Sequence, residues 1–454
     1  MLENIVLQGD TFGSILASVQ VDSIGKDCIK EGFGYLYKKS LPVGFLGLVD
    51  DIIGVTEAGV QAQMMNAFIN VKTAEKYLQF GPTKCKSMLV GKDTENVVNN
   101  ELFVDKWIID YKKNKDTGKD DIEETYSGQV PIGKTTEHKY LGFVISSTGD
   151  NMANINQIKK KSIGVVRKII NRLNSLHLRD YFFECSIILM NSILRGSILY
   201  ASETYYNLKE IEIRQIERIE EGYMRKVLKT TKGCPIVQIY LEMGQIPARF
   251  EVQKMRCLYL KYILHEEEES LLKKVFNLQL KDKSRGDWAM TVLEDLKKLR
   301  ITETFEEIKL MNVDKFRNIL KVRIKENALR YLTGKQRSKG KEMVYTDIEM
   351  AEYLQPSSPL AISQKQTMFA VKNRMIEISE NFPGKNIEDI CHCGKKETME
   401  HIYNCNYLNE GNLLNIKYEN IFNGSLKDQI KILEKIQENL EKREKVKEIK
   451  KEKR

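Results

Sequence analysis

"PVGFLGLVDDIIGV", residues 42–55, sets two adjacent carboxylates, Asp50 and Asp51, in a stretch that is otherwise almost wholly apolar. Aliphatic and aromatic residues flank the acidic pair, so the stretch reads as strand, turn, strand. Adjacent side chains on a strand point to opposite faces, and both acids can serve one pocket only at the turn of a hairpin. Unpaired carboxylates are costly to bury, and the remedies are exposure at the hairpin tip or a divalent cation. The pair is therefore either a plain polar turn or a Mg2+ site, in which carboxylates hold cations that polarise a phosphate and activate a hydroxyl nucleophile.

Working outward, residues 15–24 carry Ile15, Leu16, Val19 and Ile24 at helical spacing after a glycine-containing turn. "AGVQAQMMNAFINVKTAEKYLQFG" reads as an amphipathic helix ended by Gly81 and Pro82, and "KCKSMLVG" as a returning strand. Residues 110–130 are polar with turn dipeptides, a long solvated hairpin or loop, and "KYLGFVISSTGD" is a compact strand pair. Helix, hairpin, helix and strand in this order predict an α+β fold with helices on one face of an antiparallel sheet. After Asp150 the text turns helical with scarcely a proline, which places a boundary near residue 150. The expected divisions are 1–150, a helical 151–330, a helical connector 331–385, a cysteine-bearing 386–408 and a charged helical tail 409–454. In the tail, Leu426, Ile430, Leu433, Ile436 and Leu440 recur at helical intervals, a stripe to dock or a partner-binding end.

At 454 residues the chain exceeds one ordinary core, so two or three domains are expected. No stretch approaches the roughly 18 apolar residues of a membrane span, and no basic-then-apolar leader opens the chain, so the expectation is an intracellular protein that contacts no membrane. A formal charge of +9 favours a polyanionic partner, although 72 basic and 63 acidic residues are intermixed. "QIKKKSIGVVRKIINR" gathers Lys159, Lys160, Lys161, Arg167, Lys168 and Arg172 in one helical segment, either a solvated face or a surface for nucleic-acid phosphates.

Five of the eight cysteines are scattered through apolar patterns, as reduced thiols in cores are. The others form "CHCGKKETMEHIYNC", in which Cys391, Cys393, His401 and Cys405 have the spacing C-x-C-x7-H-x3-C. Two soft ligands on a turn closed by Gly394, then His and Cys four apart on one helical turn, suit a closed tetrahedral Zn2+ site. His392, between the first two cysteines, is left out of that set.

"LQGDTFGS", the acidic hairpin, "LQFGPTKCKSMLVG" and "KYLGFVISSTGD" follow one another in the order and at about the separations of reverse transcriptase palm motifs. The sequence resembles the non-LTR (LINE-type) retrotransposon reverse transcriptases, RNA-directed DNA polymerases. By that resemblance Gln8 and Gly9 lie against template and incoming nucleotide, where a residue without a side chain lets the backbone approach closely. Asp50 and Asp51 are the catalytic acids that hold Mg2+, Lys84 or Lys86 lies near the nucleotide phosphates, and Tyr140, Leu141 and Gly142 form the primer grip. The 151–330 region becomes a thumb that holds the RNA–DNA template–primer duplex by its backbone through the cations of 159–172. The cysteine cluster is similar to the zinc knuckle that ends these reading frames, presenting Lys395 and Lys396 to RNA or DNA. Nuclear residence is implied by the family alone.

Two departures qualify the match. Leu48 stands where the family usually carries an aromatic residue. The palm strand with a third metal-binding Asp precedes the glutamine–glycine motif in that family, and Met1 stands only a few residues before Gln8, so the expectation is no polymerisation by this chain alone. A non-catalytic RNA- or DNA-binding protein that uses the basic helices and the zinc site is the alternative, and a helical scaffold with a metal staple is a third.

Overall fold

The computed structural model describes residues 13–49, 51–57, 59–76, 78, 80–91, 101–113, 120–230, 233–284, 286–337, 347–376, 378, 381, 390–391, 393–405 and 425–452. The chain divides into two compact units, one of Met1–Gln157, Tyr205–Leu208 and Lys261–Thr291, the other of Ile158–Thr204, Lys209–Leu260 and Val292–Arg454. The fold is α+β, with every strand in the first unit. No helix among the described residues is long and apolar enough to cross a membrane.

The first described element is helix α1 (Gly13–Lys30), followed by strands β1 (Tyr35–Tyr37), β2 (Leu41–Val43), β3 (Phe45–Leu48) and β4 (Asp51–Gly54). Helix α2 (Gly59–Glu75) leads to β5 (Lys86–Ser87), a long hairpin of β6 (Phe103–Lys113) and β7 (Asp120–Pro131), then β8 (Gly133–Lys134), β9 (Glu137–Tyr140) and β10 (Phe143–Ser146). Ile24 and Cys28 of α1 pack with Met65 and Ile69 of α2, and Phe33, Phe45 and Phe68 border that core. Gly25 and Gly47 permit close packing of α1 on β3: a Cβ would stand 2.5 Å from the Phe45 ring at the first and 2.7 Å from Val21 at the second.

One continuous sheet was the expectation, whereas the described strands pair off in twos. Most are only two to four residues long, and Gly44 interrupts β2 and β3 where the chain passes Phe33 so closely that a Cβ would meet its carbonyl oxygen at 2.4 Å. The expected strand in "KCKSMLVG" is reduced to Lys86–Ser87, which runs parallel to β8, because the turn 82–84 takes up its beginning. The segment 261–291 joins this unit through Lys38, whose ammonium contacts Asp282 and lies 2.6 Å from Asp287, and through Gln279, which donates to the Tyr37 hydroxyl at 3.1 Å.

Beyond β10 the helices are α3 (Met152–Ser175), α4 (Phe182–Leu189), α5 (Arg195–Ile198), α6 (Glu210–Val227), α7 (Ile236–Glu242), α8 (Ala248–His265), α9 (Leu271–Asp282), α10 (Trp288–Lys298), α11 (Phe305–Leu310), α12 (Val313–Arg337), α13 (Ile362–Lys372), α14 (Met399–Asn404) and α15 (Leu426–Glu452). The single turn between α4 and α5, Met190–Leu194, is π-helical. In the second unit α6 buries Glu212, Glu217, Glu220 and Glu221. Cations make that burial tolerable: Arg195 Nε lies 2.7 Å from Glu220, Arg249 Nε 2.5 Å from Glu217, and Arg214 Nη1 2.8 Å from Glu221. The tyrosine hydroxyl of Tyr240 and the backbone N–H of Ala248 also donate to Glu220. Many of the intermixed charges of the composition are thus spent internally.

Gly244 terminates α7 with φ +63° where Met243 bridges Met350, and a Cβ there would stand 2.4 Å from the Met350 nitrogen. Gly244→Ala therefore combines left-handed strain with a backbone clash, and a loss of about 2–4 kcal/mol is expected in denaturant melts. Gly164→Ala is the control: nothing lies near a Cβ at this helical position, and a gain of about 0.5–1 kcal/mol is expected.

Candidate functional site

Cys391, Cys393, His401 and Cys405 come together with all four ligand atoms within 4.8 Å of one another. The chain makes this cage from a turn and a short helix. Ile390 bridges Lys396, the Cys391 N–H donates to the Lys395 carbonyl at 2.9 Å, and the Gly394 N–H donates to the Cys391 carbonyl at 2.8 Å. Gly394 takes φ +81°, a conformation that a side chain would strain. On the opposite side Thr398 caps α14 by accepting from the His401 N–H at 3.1 Å, which sets His401 one turn before Cys405 at the helix end.

The Cys391 and Cys405 sulfurs are 3.7 Å apart, and Cys393 Sγ lies 3.2 Å from His401 Nε2. A disulfide would need about 2.05 Å, whereas a tetrahedron with arms of about 2.3 Å has edges of about 3.8 Å. All eight cysteines are free thiols. Burial pushes the Cys391 thiol up to about 12, and the neighbouring Cys405 adds to it. At Cys393 burial also acts upward, but the Lys395 backbone N–H, the adjacent sulfurs and the Lys395 charge outweigh it and lower the thiol. His401 is held below its ordinary value by burial and by Lys395, so its imidazole is in the neutral, ligating form. Three soft sulfurs and one imidazole, with Cys391 and Cys405 buried and Cys393 and His401 half-buried, can bind a metal such as zinc. Among the described residues no other group of three or more His, Cys, Asp or Glu side chains is placed to hold an ion.

The centre is built into its surroundings. Met399 and Ile402 of α14 share one core with Met368 and Val371 of α13 and with Ile432, Leu433 and Ile436 of α15. Asn439 Nδ2 donates to the Ile402 carbonyl at 2.7 Å, and Arg443 Nη2 lies 2.5 Å from the buried Glu397 carboxylate. Asn439 and Arg443 escaped the sequence reading, though a signal existed: they continue the stripe of Ile432 and Ile436 at seven-residue steps. Lys395 and Lys396 are exposed, and His392 lies outside the described residues.

At the acidic hairpin, Leu48 pairs with Asp51 across a two-residue turn. Asp51 is exposed at the head of β4, so exposure at the tip is the remedy the chain uses for it; Asp50, Gln8 and Gly9 lie outside the described residues. Val49 holds φ +57°, an outlier for a β-branched residue and the kind of strain that persists only where its surroundings over-determine it. The β9–β10 hairpin has the same construction: Tyr140 pairs with Phe143, and Leu141 (φ +47°) and Gly142 (φ +86°) form the turn. Burial, and then the Asp51 carboxylate, raise the Tyr140 phenol. Lys84 is exposed on the turn before β5, and Lys86 is exposed on β5 with its ammonium across Gly133.

Lys159, Lys160, Lys161, Arg167, Lys168 and Arg172 are all exposed on α3, opposite the buried stripe of Ile155, Ile158, Val166, Ile169 and Leu173. The helix contains no Asp or Glu. Lys159 donates to Gln215 at 3.2 Å; among the described residues the other five have no carboxylate partner. Tyr205 is fully buried, accepting from Asn154 at 2.8 Å and packing on Phe143, so it is core. No model of a known protein family matches the chain, and neither does any curated protein.

Proposed function

We propose that the chain is a reverse transcriptase-like protein of the non-LTR retrotransposon kind, which binds an RNA–DNA template–primer duplex and carries a C-terminal zinc module. The observation that carries the proposal is the like construction of the Leu48–Asp51 and Tyr140–Phe143 hairpins at the positions that the resemblance assigns to catalytic hairpin and primer grip, with Asp51 exposed at the first and its charge felt by the Tyr140 phenol. Two tight hairpins with strained apolar residues at their turns, one carrying an exposed acid, would offer the places for a cation and for a primer end. Asp51, with Asp50, would hold Mg2+, and Lys84 or Lys86 would face phosphates. The acid-free α3 supports backbone contact with the duplex, and Lys395 and Lys396 beside the zinc module would add to it.

A non-catalytic RNA- or DNA-binding role is the second reading, favoured by the five α3 cations that have no carboxylate partner among the described residues. Extension of oligo(dT) on poly(rA) with Mg2+ or Mn2+, beside salt-titrated binding of the same duplex, separates the two. Binding that weakens steeply with salt is expected under both. Incorporation that disappears in Asp51→Asn with binding intact assigns the polymerase; binding without incorporation is compatible with both readings of this chain. Binding indifferent to salt would reject both and leave a helical scaffold.

A further inference from the structure

We propose that metal occupancy of the Cys3His centre and seating of the C-terminal helix α15 are one coupled equilibrium, so that the ion acts as the latch of a helical strap. The inference rests on metal binding at that centre and goes beyond it. Helix α14 has only six residues, far fewer than an isolated helix needs to persist in water. Three things hold it: the Thr398 cap, the apolar contacts of Met399 and Ile402, and the ligands His401 and Cys405, which an ion would tie to the turn bearing Cys391 and Cys393.

Helix α15 rests on α13, through Gln364–Glu434 and Thr367–Gln437 hydrogen bonds, and on this same small assembly. Ile432, Leu433 and Ile436 pack in the core that includes Met399 and Ile402, Asn439 donates to the Ile402 carbonyl, and Arg443 pairs with Glu397, which lies between the cysteine turn and the α14 cap. Glu397 and the Arg443 side chain are both almost wholly buried, so the pair forms only when turn and helix are in place. Without an ion, nothing cross-links the turn to α14 through its ligands, and the surface that receives Asn439 and Arg443 loosens. Coupling is reciprocal: whatever factor the ion adds to the docking of α15, docking adds to affinity for the ion.

The test uses the full chain loaded with Zn2+ or stripped with a chelator, with amide hydrogen exchange as the readout. Stripping is expected to speed exchange over residues 428–440 by about tenfold or more, within the roughly 5–150-fold range of such couplings, while α6 stays protected. In the reciprocal arm, Co2+ titration followed by its thiolate absorption is expected to show about fivefold or greater weakening in Arg443→Gln, which touches no ligand. The double exchange Glu397→Arg with Arg443→Glu restores affinity towards the original if the pair transmits the effect, and guards against a variant that is merely misfolded. Equal protection of α15 in loaded and stripped chains, with unchanged Co2+ affinity in Arg443→Gln, would overturn the coupling while metal binding stands. Absence of any cobalt–thiolate absorption in the unaltered chain would overturn the metal centre itself, and the latch with it.

Discussion

Cys405→Ser is expected to reduce bound Zn2+ from one ion per chain to a trace, measured by elemental analysis after gel filtration. Cys405 is completely buried at the end of α14, and its sulfur is 3.7 Å from that of Cys391. A hydroxyl in its place is a harder and far weaker donor than thiolate, and among the described residues no further Cys, His, Asp or Glu joins the four-residue group. Loss of a residue that merely orients a ligand costs roughly 10–100-fold in affinity, so loss of a ligand from a four-ligand cage exceeds that range. His177→Ala, at an exposed loop position away from any metal group, is the control and is expected to keep its ion. Retention of one tightly held Zn2+ by Cys405→Ser would reject the four-residue centre.

The metal cage was legible in sequence because its parts are local: fifteen consecutive residues contain every ligand, and a turn glycine and a capping threonine fix their geometry. The two hairpins were legible for the same reason, since the apolar runs on either side of the acidic pair and the glycine after Leu141 decide a two-residue turn within a few positions. Long-range pairing was not legible. Nothing in "KCKSMLVG" announces that Lys86 and Ser87 will run parallel to residues 133–134, or that 261–291 will return to the first unit through Lys38. The boundary drawn near residue 150 treats the chain as successive blocks, whereas the compact units interleave, because helix-rich text carries no mark of which neighbour each helix will choose. Charge was the subtler case. The composition shows basic and acidic residues nearly balanced, and only the structure separates the arginines consumed by Glu217, Glu220 and Glu221 inside the second unit from the α3 cations that have no carboxylate partner among the described residues.

Replacing Lys161, Lys168 and Arg172 together by Gln is expected to weaken duplex binding by roughly 10–100-fold near 100 mM salt and to flatten the log–log salt dependence by about 2–3 units. These three follow one another at steps of seven and four, a single stripe about 16 Å long on a helix that rises about 1.5 Å per residue, long enough to meet several phosphates. Lys159 is excluded because it already donates to Gln215. None of the three has a carboxylate partner among the described residues, so their removal orphans no acid, and Gln is a good helix former. The melting temperature should therefore stay within a degree or two of the parent, which separates lost contact from lost fold. Lys160 and Arg167 lie on a neighbouring part of the same exposed surface, and their replacement by Gln asks a different question. If the α3 stripe grips a backbone, the triple change flattens the salt dependence much more than the double change does. If the helix only adds to a diffuse positive field, each change scales with the charge removed, three against two. An unaltered salt slope in the triple variant would remove α3 from the interface, and with it the strongest support for duplex binding by the second unit.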